Sequence, residues 1–304
     1  MAVTGDFVTD TEAPAVVPPR RLREALSLLY QNKVGFIGAI LTVIVFAIGI
    51  MGAVLLLTPS LHHLYLTQNL SQSLDGPGVS GHLLGTDEYG RDLLWRTIAG
   101  VGVSLLVAVL TTTITLFLGL ALGSIAGYFG GKVDTVVRAV IDLTWGFPLL
   151  LVAVVIAGML GPGLRPVVLA ISLVIWAGFA RVVRAQVRSL RERPFVEAAR
   201  ALGTPASKII IRHMIPNVMG TVLVMASYYI AVSVIAEAAF SFIGLGVQPP
   251  TPSLGQMIAD GTNYFSYSFW PAVVPGVMIA VMVLALNLLG DGLRDILDPR
   301  LKRF

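Results

Sequence analysis

Six stretches of the chain stay apolar long enough to cross a bilayer: 34–57, 98–126, 136–160, 166–187, 217–242 and 271–290. A hydrocarbon core of about 30 Å needs roughly 20 such residues in a helix, and lipid leaves no water to satisfy exposed backbone. The pattern therefore predicts an all-α, polytopic membrane protein with six transmembrane helices. The third stretch is the least clean, because Arg138 and Asp142 fall in its first turns. Within 20–33, Leu22, Ala25, Leu26 and Leu29 recur at helical spacing among basic residues, which predicts a short helix lying on the membrane surface. An ordinary solvated helix fits the same pattern. The chain so divides into a tail (1–33), a first span (34–57), an outer segment (58–97), a five-helix core (98–292) and a second tail (293–304).

Composition strengthens this picture. Hydrophobic residues make up 56% of the 304 and charged residues only 12%, about half the charge a soluble surface carries. Much of the surface must face lipid. A net charge of +4 is too small to indicate nucleic acid, and the absence of cysteine excludes disulfides and thiolate chemistry. The acidic, proline-containing start and the length of the first apolar run argue against a cleaved signal peptide.

Where the basic residues sit sets the orientation. With the N-terminus inside, eighteen of the 21 Lys and Arg fall on the cytoplasmic side; Arg91, Arg96 and Arg165 remain outside. The excess of inside charge predicts an N-in, C-in topology.

The most basic inside stretch, 188–217, reads RSLRERPFVEAARALGTPASKIIIRHMIPN. Pro194 suits the first turn of a helix, Glu197 complements its dipole, and Gly203 suits its C-terminal cap. Thr204 and Pro205 then open a second short helix to Met214, and Pro216 starts the next span. Two short helices at a sharp angle should project from the membrane. Their face would combine Ala198, Ala199, Ala201 and Leu202 with Arg193, Glu197 and Arg200. Such a knob can enter a groove on another protein; a plain basic loop obeying the orientation rule is the alternative.

Other candidates are weaker. Gly119, Gly123 and Gly127 recur every four residues, which lets two helix backbones approach. Arg138 and Asp142 stand at i,i+4 spacing and predict an ion pair near the cytoplasmic interface; intramembrane charge can also mark a translocation path. Ser233 and Glu237 lie one turn apart near the outer end of the fifth span, where path lining and a helix-end anchor both fit. His62, His63 and His82 read as isolated surface residues, although the first two could hold a metal weakly. No metal site is expected, since no HExxH or paired-carboxylate helix accompanies them. Gly131-Lys132-Val133 lacks the remaining residues of a phosphate-cradling loop, so catalysis and ATP hydrolysis are not expected of this chain. The outer loop 244–268 carries three prolines followed by an aromatic cluster that fits an interface belt.

The run Glu197-Ala198-Ala199, Gly203, His213-Met214-Ile215-Pro216 resembles the EAA loop of binding-protein-dependent ABC importer permeases. His213 and Ile215 depart from the family's Ile and Leu, and His at that position looks like the peptide-importer branch. LGTDEYGRDLLWR (84–96), GYFGGKVDTVVR (127–138), EAAFSFIGLGVQPPTPSL (237–254) and NLLGDGLRDILDPRL (287–301) resemble the dipeptide/oligopeptide/nickel group, in its C-type second permease. The resemblance implies a type I ABC importer permease fold in a bacterial or archaeal cytoplasmic membrane. It implies four kinds of partner: a homologous permease subunit, two ATPase subunits that bind ATP and Mg, an extracytoplasmic solute-binding protein, and the bilayer. It also implies that 197–203, with Arg200, His213 and Pro216, couples ATPase motion to alternating access. This chain would carry no cofactor. Peptides are the expected cargo, with nickel or glutathione as alternatives on the same machinery. The competing class is a self-contained secondary transporter or channel, which usually shows midplane charges and repeated halves.

Overall fold

The computed structural model describes residues 32–297, and these are almost entirely helical. Five helices are long and apolar enough to span a bilayer: α1 (Lys33–Leu57), α2 (Leu93–Phe129), α5 (Leu164–Arg191), the rod Ala206–Phe242, and α10 (Trp270–Leu297). Between α2 and α5 lie α3 (Gly131–Trp145) and α4 (Leu149–Leu160), which meet at 83°. The predicted third span of 136–160 is therefore a broken one. Gly146, Phe147 and Pro148 make the break: Pro148 has no N–H to continue a helix and disfavours helical backbone in the residue before it.

Several boundaries differ from the sequence pattern because capping groups, not hydropathy, end helices. α2 begins at Leu93 rather than 98, since the Asp92 carboxylate accepts hydrogen bonds from the backbone N–H of Leu94 (2.8 Å) and Trp95 (3.1 Å). α10 runs past the expected end at 290, into the segment expected to be a tail. Asn32 caps α1 through Gly35 N–H (3.0 Å) and donates to Asp295 (2.7 Å), tying the start of the first span to the end of the last. The surface helix expected over 20–33 lies outside the described residues except at its end, as does the tail beyond 297.

The glycine seam is a packing seam within the chain. A Cβ on Gly123 would sit 2.7 Å from the Ala180 carbonyl oxygen, and one on Gly127 would sit 2.7 Å from that of Arg184. On Gly119 it would sit 2.5 Å from Phe179. All three partners are on α5, so the spacing brings α2 and α5 into backbone contact along their cytoplasmic halves. α1 packs on α2 and α10 through Gly52 and Gly38.

Candidate functional site

The cytoplasmic loop folds as one short helix and one extension. α6 (Pro194–Ala201) has Pro194 at its first turn and Glu197 near its start. It ends in a Schellman pair: Gly203 N–H donates to Arg200 (2.9 Å) and Thr204 N–H to Ala199 (3.1 Å). Gly203 adopts φ +72°, the left-handed conformation that side chains resist. The expected second, separate helix does not exist. α7 (Ala206–Ile209) passes through a π-turn at Ile210–Met214 directly into α8 (Ile215–Phe242). Pro216 explains the turn, because it cannot donate to the carbonyl one turn earlier and a wider turn absorbs the lost bond. His213 lies within this turn and its carbonyl accepts from Asn217 (2.6 Å).

α6 is clamped to the bundle. Val196 and Ala199 are buried with Tyr128, Val187, Ile209 and Met214 in one apolar cluster. Ala199 thus faces inward, not onto the docking face expected of it. The Arg200 guanidinium stacks over the Tyr128 ring at 4.9 Å. Outward stand Phe195, Glu197, Ala198 and Leu202, the last 85% exposed at the tip.

The predicted Arg138–Asp142 pair is not formed. Arg138 instead reaches Asp134 (3.0 Å), one turn in the other direction, while Asp142 pairs with Arg181 on α5 (3.0 Å). Asp134 is the buried member: Arg184 embraces its carboxylate through both Nε and Nη2 and ties α3 to α5. Arg181 also stacks on Trp145 at 4.4 Å.

Glu237 is buried at 1% exposure and accepts hydrogen bonds from Ser104 (2.6 Å) and Ser241 (2.7 Å). Ser104 joins α2 to α8 across the bundle. Its role is invisible in the sequence, whereas Ser241 stands one turn after Glu237 just as Ser233 stands one turn before it; Ser233 is buried too, at 1%. Gly255 of α9 (Leu254–Thr262) rests on the backbone of the following Ala238: a Cβ on Gly255 would overlap the Ala238 carbonyl oxygen, so the glycine lets α9 approach α8.

On the outer side, Asp87 organises a charged cluster. Its carboxylate receives Arg91 Nε (2.6 Å) and the N–H groups of Tyr89 and Arg91 (2.9 Å each), and lies 3.1 Å from Arg96 Nε. Arg91 also meets Glu88 (3.3 Å). This cluster and α9 enclose a half-open cavity of about 630 Å3, with Glu88, Arg91, Arg96, Gln256 and Asp260 among its walls. Burial raises the Glu88 carboxyl above its ordinary pKa, and the Asp87 charge raises it further. Burial likewise raises Asp260.

The histidines are engaged. His82 Nδ1 pairs with Asp92 (2.6 Å), bracing the cap of α2, so it is no isolated surface residue. His62 reaches the Leu56 carbonyl (3.1 Å) and His63 that of Ser60 (2.8 Å).

Against known proteins, the dipeptide transport permease DppC of Alkalihalophilus pseudofirmus is 38% identical over 92% of this chain and 90% of its own. The oligopeptide transport permease OppC of Bacillus subtilis is 32% identical over 92% and 90%. In fold, the chain resembles the MetNI methionine ABC transporter in inward-facing conformations, at a TM-score of 0.55 and 19% identity, covering 67% of this chain and 97% of that one. An amino acid ABC transporter gives a TM-score of 0.51 at 22% identity, covering 64% and 91%. Residues 119–303 match the model of the inner membrane component of binding-protein-dependent transport systems, and with a broken span, a clamped cytoplasmic knob and the type I permease fold, this chain belongs to that family.

Proposed function

We propose that this chain is one permease subunit of an ATP-driven, binding-protein-dependent importer of dipeptides or oligopeptides in a bacterial or archaeal cytoplasmic membrane. Its complex would contain a homologous permease, two ATPase subunits holding ATP and Mg, and an extracytoplasmic solute-binding protein. The peptide cargo rests on the names of the relatives. The observation that carries the coupling role is α6. A short helix is clamped to the span ends by Val196 and Ala199 while Phe195, Glu197 and Leu202 project into the cytoplasm.

An apolar side chain 85% exposed at a loop tip gains free energy only by burial against a partner, roughly 1.5–3 kcal/mol for a leucine. Differential docking to two ATPase states is what such a contact must supply to drive alternating access. Gly203 would fix the exit angle of α6, and Arg200 would brace it on Tyr128. His213 and Pro216, in and beside the π-turn, would pass its motion into α8.

The test is substitution with assembly and transport read separately. Glu197→Lys and Gly203→Val should insert normally but associate poorly with the ATPase subunits and abolish peptide uptake in proteoliposomes. Normal uptake with normal ATPase association in either variant would overturn the coupling role.

A further inference from the structure

The outer cavity contains polar groups that the fold leaves unspent. Arg96 is only 5% exposed; its Nε faces the Asp87 carboxylate at 3.1 Å without hydrogen-bond geometry, and its Nη1 makes no hydrogen bond. The buried Gln256 Oε1 is also without a donor. Among the described residues, no hydrogen bond or ion pair reaches the Asp260 carboxylate. All three side chains line the same cavity. Buried polar groups are ordinarily satisfied, and orphaned donors beside an orphaned acceptor in one pocket are costly unless something fills it.

We propose that this extracytoplasmic cavity is a receptor site for a short zwitterionic peptide. Its terminal carboxylate would meet Arg96 and Arg91, and its terminal ammonium would meet Asp260 and Glu88. The identification rests on the peptide-import function proposed above and deepens it. Charge decides the class of ligand. Asp87 is already committed to both arginines, so the groups left facing the cavity are of both signs. A simple anion would sit against Asp260, and a simple cation against Arg96; a molecule with both charges at its ends suits both. Gln256 Oε1 would accept a peptide N–H. The volume of about 630 Å3 lies in the range of about 300–1,000 Å3 typical of small-ligand sites. Walls of Tyr89, Pro249, Pro250 and Tyr264 offer contact without demanding one side chain.

Tritiated trialanine tests this by equilibrium dialysis against the assembled importer in nanodiscs, without its binding protein. Saturable binding is expected, and N-acetylation or C-terminal amidation of the peptide should each weaken it about tenfold, the loss of one charge-assisted contact. Asp260→Asn should weaken free trialanine and leave the N-acetylated peptide unchanged. The blocked peptides test the site even if substitutions near Arg96 impair folding. Equal binding of free and doubly blocked trialanine, or no saturable binding, would overturn the proposal. So would an Asp260→Asn variant that loses docking of the substrate-free binding protein while holding trialanine normally, because the cavity would then be a protein contact. Trialanine uptake by proteoliposomes with all subunits separates the two readings. Uptake without end-selective binding defeats the cavity alone, whereas no uptake of peptides defeats the cargo assignment.

Discussion

Asp87 receives two backbone N–H groups and lies against two arginines while only 3% exposed. Removing one partner of a buried ion pair leaves uncompensated charge, so Asp87→Ala should cost about 3–5 kcal/mol, read as a lowered unfolding temperature in detergent. Glu88 and Asp260 next to it give a pH dependence whose sign is fixed. Both face Asp87, Arg91 and Arg96, and both hold their protons to higher pH in the folded chain than in the unfolded one. Their contribution to stability is complete below about pH 4, the unfolded carboxylate range, and is lost as pH rises through their raised values. The double variant Glu88→Gln, Asp260→Asn should therefore lose less thermal stability than the parent as pH rises from about 4 toward neutrality; an equal loss refutes the assignment. The i,i+4 spacing of Asp87 and Arg91 is legible in the sequence, but their burial is not, because α9 covers them from more than 150 residues away. Ser104 and Glu237, 133 residues apart, escaped sequence reading for the same reason.

At the scale of elements, hydropathy located every apolar helix and misjudged how they end and join. The glycine seam was legible because a four-residue repeat of small residues has one geometric meaning, close backbone approach. Gly123→Val should force the Ala180 carbonyl away from α2 and destabilise the bundle, whereas Gly158→Val, where a side chain meets open space, should cost little beyond helix propensity. The Arg138–Asp142 expectation failed because i,i+4 arithmetic is symmetric: Arg138 had acidic residues four positions away on both sides, and α5 supplied Arg181 and Arg184 to settle the choice. Asp134→Asn should thus destabilise by about 3–5 kcal/mol as a buried loss. Asp142→Asn, with both partners about half exposed, should cost under about 1 kcal/mol. Chemical unfolding of the two variants side by side checks the ranking.

For the whole molecule, the distribution of basic residues determines which end of the bundle faces the cytoplasm. The chain has no cysteine, so single introduced thiols report sidedness without background. Leu83→Cys, on the exposed outer segment, should react with a membrane-impermeant maleimide in intact cells. Ser207→Cys, exposed beside α6, should react only after permeabilisation. The reverse pattern would invert the topology and place the charged cavity inside the cell.

The π-turn has a mechanical consequence. By fusing α7 to α8 it makes Ala206–Phe242 a single strut of 37 residues, about 55 Å from end to end. One end of this strut stands beside the cytoplasmic knob, and the other carries Glu237, Ser241 and the carbonyl on which α9 rests. A tilt of about 10° about its middle would move each end by roughly 5 Å, the rise of one helical turn. That stroke is enough to part Ser104 from Glu237 and lift α9 from the cavity beneath it. Motion at the knob would then be transmitted across the membrane by one continuous member, with the outer pocket opening as the far end swings.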